Sequence, residues 1–190
     1  DKAICVARWV NDLLVKEFPM DADRIVWIWN GVDESALEGE GDLREEIGLD
    51  RSDKVIGYVG RIAPGKNVDL ILRALQYLPE EFKALIVGWG TERAEMDNFK
   101  RALSEFEGRA IWLGQRRDIG RVYRTMDLFC LPSEHEGNAM VIIEAAMAGV
   151  PILASNVGAV PELVDAGMKI EIIRPSAHDI ALKAMELMED

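Results

Sequence analysis

The sequence predicts an α/β fold, a doubly wound parallel sheet with helices on both faces, and three observations carry that expectation. Six short apolar runs recur after residue 54, at Val55–Val59, Ala84–Val87, Ala110–Leu113, Leu128–Leu131, Pro151–Ala154 and Ile170–Ile173. They are nearly continuous in hydrophobicity, as strands buried on both faces must be. Between them lie segments whose apolar residues recur three and four apart, the spacing of a helix with one buried face. Strand and helix alternating in this way wind into a parallel sheet with right-handed crossovers, and ligands then bind outside the carboxyl ends of the strands, near the switch in strand order.

Taken in order, Ala3–Ala7 reads as a short buried strand, Val10–Phe18 as a helix, and Arg24–Trp29 as a strand closing on a tight turn, Asn30-Gly31-Val32-Asp33. Residues 34–53 are acidic and broken by Gly39, Gly41 and Gly48, which predicts a linker with one short helix around Leu43–Ile47. The helices of the main domain, residues 54–190, follow from their stripes. One carries Val68, Ile71, Leu72, Leu75 and Leu78, and the next Met96, Phe99, Leu103 and Phe106. A shorter one carries Ile119, Val122, Tyr123 and Met126 behind an Asp118 N-cap. The last opens with Ser176 three residues before Asp179. No internal repeat or low-complexity tract interrupts the pattern.

Composition narrows the function. The chain has 190 residues, 49% of them hydrophobic, enough for one domain with a full core. Its mean hydropathy is −0.01, and no apolar run approaches the roughly 18–20 residues that span a bilayer. The net charge of −12 disfavours nucleic-acid binding and a membrane-surface role for this part, since phosphate contacts need a basic patch. The start of the sequence does not read as a signal peptide, and lacking a starting Met the chain is expected to be a fragment or processed piece of a cytoplasmic protein. Cys5 and Cys130 lie far apart in apolar runs and read as buried reduced thiols; no metal-ligand spacing is present.

The chain is organised around Ser133–Pro151. From Ala139 to Ala148 it is apolar all round, which predicts a buried helix with Asn138 as N-cap and Gly149-Val150-Pro151 as stop. Glu144 breaks that pattern. A carboxylate in such a place needs either a cavity or a polar partner, because its desolvation is costly. Glu136 stands eight residues earlier, in a loop made flexible by Gly137. The free N–H groups at the helix entrance favour an anion. Carboxylates for hydroxyls and N–H donors for phosphate together suit a nucleotide sugar.

The other loops are less specific. After the first strand of the main domain, Gly60-Arg61-Ile62-Ala63-Pro64-Gly65-Lys66-Asn67 matches neither a dinucleotide fingerprint nor a Walker loop. It offers an Arg fork and a Lys point charge, either as a phosphate clamp or as a solvated turn. Trp89 in Gly88-Trp89-Gly90 reads as a plain strand-to-helix turn, Arg116-Arg117 as a solvated pair, and His135 as an exposed side chain. Glu162 is expected to stabilise the start of its own helix.

Three motifs then resemble one family. Gly60-Arg61…Lys66, Glu136-Gly-Asn-Ala-Met-Val-Ile-Ile-Glu144-Ala-Ala-Met-Ala-Gly-Val-Pro and Gly158-Ala-Val-Pro-Glu162-Leu-Val look like the donor-binding half of retaining GT-B glycosyltransferases of family four. The resemblance extends over the chain, with residues 1–33 similar to the end of an acceptor domain and its hinge. It implies one Rossmann-like half of a GT-B fold, with the acceptor domain and its expected catalytic His missing, and any membrane contact made through that missing domain. It implies that Arg61 and Lys66 clamp a diphosphate without a metal or other cofactor, and that Gly60 lets the backbone approach. Backbone near Arg116 would meet the base, and Glu144 the ribose hydroxyls. Glu136 and Gly137 would lie in the donor site, Glu136 beside the sugar, and the amides of Asn138, Ala139, Met140 and Val141 would meet sugar and distal phosphate. Transfer would retain anomeric configuration by front-face departure and attack. The chain departs from the family at Asn138-Ala139, where Phe-Gly is usual, at Asn67, where Gly is common, and around Met168–Ile172, where Gly-Leu-Leu-Val is expected. Other readings are a nucleotide-sugar epimerase on the same scaffold and a non-catalytic Rossmann interaction module.

Overall fold

A computed structural model describes residues 2–18 and 20–188. The outer ends of the predicted spans, residues 1 and 189–190, lie outside the described residues, as does Pro19. The chain first makes a small βαβ unit: β1 (Ala3–Cys5), α1 (Arg8–Glu17) and β2 (Ile25–Trp27), the two strands pairing in parallel. The main domain follows as β3 (Lys54–Val59), α2 (Val68–Ala74), β4 (Phe82–Val87), α3 (Arg93–Ser104), β5 (Ala110–Trp112), α4 (Ile119–Thr125), β6 (Leu128–Leu131), α5 (Met140–Met147), β7 (Ile152–Ser155), α6 (Val160–Asp165), β8 (Glu171–Ile173) and α7 (Ala177–Met188).

The six strands β3–β8 form one parallel sheet in the order β5-β4-β3-β6-β7-β8, which is doubly wound, with its switch point between β3 and β6. Register at the switch pairs Ile56 with Leu128 and Gly57 with Phe129. Strands β6 and β7 are buried along their whole length, as their unbroken apolar character requires. On the helical side, α2 packs between α3 and α7, while α4, α5 and α6 send Val122, Tyr123, Ile142, Ala145, Val160 and Leu163 into the core. Asn67 opens α2 in a left-handed conformation (φ 52°), which Asn tolerates better than most residues, so its place in a position where Gly is common carries little strain. At α7 the hydroxyl of Ser176 accepts the Asp179 N–H (3.2 Å), and Asp179 reaches back to the Arg174 N–H (2.7 Å).

Several local expectations need correction. Residues 28–33 form no turn, and the chain turns instead in a 3-10 helix over Glu34–Leu37, where Asp33 accepts from the Ser35 N–H and hydroxyl. Leu43–Ile47 forms one hydrogen-bonded turn and stops short of a helix, because Gly48 leaves it in a positive-φ conformation. Residues 34–53 do not hang free. Leu43 is fully buried, its N–H donates to the Thr125 hydroxyl (2.9 Å), and Arg124 binds the carbonyls of Gly41 and Leu37. Asp118 sits at the α4 N-cap, but its carboxylate is taken by Arg116 and caps nothing. Helix α5 is not buried all round: Ile142 and Ala145 are buried within it, Met147 is 42% exposed, and a helix on the outside of a sheet can bury only the side that meets it.

Candidate functional site

Loops after β3, β4, β6 and β7 converge at the carboxyl ends of the strands, held by backbone contacts that admit no larger residue. Gly88, at φ 142°, lies where an added Cβ would strike the Gly60 carbonyl oxygen, and Gly158 where it would strike that of Glu136. The β3 and β4 loops extend their ladder past the strands, with Gly60 N–H on the Val87 carbonyl and Ile62 N–H on the Trp89 carbonyl (3.0 and 3.1 Å). The Gly88 N–H donates to the Gly114 carbonyl (2.7 Å), which brings in the loop after β5. Together these form an open cleft of about 560 Å³ lined by Gly60, Arg61, Gly88, Trp89 and residues 115–117.

The two predicted cations differ in state. Arg61 is exposed, and its guanidinium takes part in none of the hydrogen bonds or ion pairs among the described residues. Its carbonyl is fixed by the hydroxyl of buried Tyr58 (2.8 Å). Burial first, and Glu136 second, push the Tyr58 phenol above its usual range, so it stays a neutral donor. Lys66 points at the other loop: its ammonium donates to Glu136 Oε1 (2.7 Å) and to the His135 carbonyl (3.2 Å), which leaves one of its three donors. Ser133 donates to the same Glu136 oxygen (2.7 Å), while Glu136 Oε2 accepts from none of the described residues. Asn67 binds the Pro132 carbonyl (3.1 Å), closing the β3 loop onto the β6 loop. His135 has an exposed side chain, as its sequence setting suggests.

Glu144 is half-buried, and its partner is Tyr123, whose hydroxyl donates to Oε2 at 2.7 Å. Burial, then Glu144 itself, raise the Tyr123 phenol well above its usual range. Oε1 accepts from no described residue, so the carboxylate is oriented by protein without being sealed by it. Sequence reasoning placed Tyr123 only in a core stripe; a partner 21 positions away on another helix leaves no signal in local spacing.

Other expectations change. Asn138 does not cap α5: its amide donates to the Val6 carbonyl (3.0 Å), its Oδ1 is buried without a partner, and Ala139 holds the cap position. The strand-to-helix connection of the N-terminal unit crosses the loop there and takes the side chain. The Met140 N–H is returned to the Asn138 carbonyl (3.0 Å), so that amide is already engaged. Gly137 accepts from the Trp9 indole (3.1 Å). Glu162 lies in the first turn of α6, but its two oxygens accept the Arg8 and Trp9 N–H groups (2.9 and 2.7 Å) at the start of α1. Arg116 is not solvated; it forks onto Asp118 (2.9 and 2.6 Å) and reaches Glu46 (3.0 Å), while Arg117 stays exposed. The hydrogen bond from Arg116 is the main cause that holds Asp118 below the usual carboxylate range. Among the described residues no cluster of His, Cys, Asp or Glu is gathered for a metal, Cys5 and Cys130 are free and buried, and no helix is long and apolar enough to cross a membrane.

Fold and loops thus define a doubly wound domain with an open cleft at the carboxyl ends of β3, β4 and β5. The group 1 glycosyl transferases match residues 53–190, and the chain belongs to that family, as the C-terminal domain of a GT-B glycosyltransferase. It is 32% identical over 188 residues to D-inositol 3-phosphate glycosyltransferase of Mycobacterium sp. strain JLS, covering 95% of this chain and 42% of that protein. It is 32% identical over 165 residues to the Escherichia coli UDP-Gal:alpha-D-GlcNAc-diphosphoundecaprenol alpha-1,3-galactosyltransferase, covering 82% and 43%. A crystal structure of Anabaena HepE in complex with UDP superposes with a TM-score of 0.89 at 24% identity, covering all of this chain and 54% of the other. The chain therefore spans about half the length of these relatives.

Proposed function

We propose that this domain holds the nucleoside-diphosphate part of a nucleotide-sugar donor and serves transfer of the sugar to an acceptor, with retained configuration and without a metal. The observation that supports it best is that groups on the β3 and β6 loops and on α5 keep unused donors and acceptors, with Lys66 and Glu136 joining the two loops. Arg61 offers an unoccupied fork and Lys66 one unused donor for the diphosphate, and each of Glu136 and Glu144 keeps an oxygen free for hydroxyls. In the reaction the bond between the anomeric carbon and the β-phosphate oxygen breaks, and the acceptor oxygen bonds to that carbon on the same face. The acceptor proton passes to the departing phosphate oxygen. Arg61 and Lys66 stabilise the charge gathering on the leaving diphosphate. Glu136 faces the positive charge developing at the anomeric carbon, and Glu144 holds the ribose. The acceptor-binding half of the fold lies outside this chain, so the chain alone binds donor and transfers little. The buried free thiols agree with a cytoplasmic setting.

A thermal-shift titration with uridine, guanosine and adenosine diphosphates and their sugars tests the reading. One of them at about a hundred times its Kd adds about 2.7 kcal/mol to the stability of the folded state. Arg61→Ala loses diphosphate affinity, and Glu144→Ala discriminates less between ribose and deoxyribose forms. No shift with any ligand would instead mark a non-catalytic interaction module.

A further inference from the structure

Trp89 is 46% exposed, yet its ring is not loose. It stacks on Trp112 with ring centroids 5.0 Å apart and planes 26° from parallel. Trp112 is fixed in turn by its indole N–H on the Gly88 carbonyl (3.0 Å) and by an edge contact to Phe99 at 5.6 Å. Lys100 lies 5.9 and 5.8 Å from the centroids of Trp89 and Trp112. The indole is therefore oriented before any ligand arrives. Its backbone stands between two loops: the Trp89 carbonyl holds Ile62 beside Arg61, and the neighbouring Gly88 N–H holds Gly114 beside Gln115. Trp89 shares one cleft with Arg61, Gln115 and Arg117. Arg116, the residue whose position first suggests base contact, has its guanidinium committed to Asp118 and Glu46.

We infer that Trp89, braced on Trp112 in the cleft it shares with Arg61, is the platform on which the nucleobase of the donor stacks. The inference rests on the nucleotide reading above and assigns it a residue. With the diphosphate at Arg61, the far end of the nucleotide reaches the β4 and β5 loops, where, among the described residues, this indole is the aromatic surface of the cleft. A π-face attracts any base, so Trp89 supplies affinity, while selection among bases falls to edge contacts with Gln115 and the backbone around it.

Isothermal titration of the chain with uridine, guanosine and adenosine diphosphates and with inorganic pyrophosphate tests this. Trp89→Ala is expected to weaken the nucleoside diphosphates about tenfold or more, the scale of base–aromatic stacking, and to leave pyrophosphate unchanged. Trp89→Phe is expected to recover most of the loss, and unaltered melting temperatures of both variants establish that the fold is kept. Nucleoside diphosphates bound by Trp89→Ala within twofold of wild type, or pyrophosphate weakened by the same factor, would overturn the platform alone. Absence of nucleoside-diphosphate binding in the wild type would overturn the platform and the nucleotide reading together.

Discussion

The two sides of the switch point are built differently. On the β3–β4–β5 side, backbone packs on backbone, and the side chains at the rim, Arg61, Trp89, Gln115 and Arg117, are left exposed. On the β6–β7 side, the polar side chains are already engaged: Glu136 with Lys66 and Ser133, Asn138 with Val6, and Glu162 with the start of α1. The first side is rigid because its loops are pressed together without side chains between them. The second is held by hydrogen bonds, among them Trp9 to Gly137 and Asn138 to Val6, which tie the small N-terminal unit to the β6–α5 loop. A ligand therefore meets free groups on one side and must share groups on the other.

Three substitutions test that contrast. The largest effect is expected for Gly88→Ala. Its Cβ meets the Gly60 carbonyl in a conformation that favours glycine, so the variant should lose about 3 kcal/mol or more, read as a lower urea midpoint. A loss under about 1 kcal/mol would mean that the two loops can part, and the rigid side would not be rigid. Glu162→Ala comes next. It strips the carboxylate from two N–H groups of α1, and the expected cost is about 1–2 kcal/mol, as for a lost helix cap. Unchanged stability would show that the N-terminal unit does not depend on this clasp.

The smallest effect concerns pH. The Asp118 carboxyl is held below its ordinary value by Arg116, so its contribution is present above the unfolded-state pKa of about 3.9 and is lost as pH falls through the lower folded value. Because the pair is partly exposed to solvent, the effect should be small and should shrink in high salt. Wild type and Asp118→Asn should differ slightly in melting temperature at pH 6 and converge near pH 3. A difference that widens on acidification would contradict the direction of the shift.

Much of this was legible in the residues. The six strands fell on the six apolar runs, and the α7 cap followed from Ser176 and Asp179 standing three apart. Lys66 and Glu136, singled out on two different loops, meet in an ion pair at 2.7 Å. Tyr123 as the partner of Glu144, Ser133 as the partner of Glu136, and the grip of Glu162 on α1 were not legible, nor was the bracing of Trp89 on Trp112. Asn138 shows why, since its local position suits a cap, but a segment 132 positions away supplies a carbonyl that wins the amide.

The sequence by itself determined the order of strands and helices and the chemical types gathered in the loops, because hydrophobic period, glycine and cap residues act over a few positions. Only the tertiary structure decided which of those polar groups are spent on each other and which remain free. Hydrogen bonds between loops form wherever the folded sheet brings donor and acceptor within about 3 Å, whatever their separation along the chain.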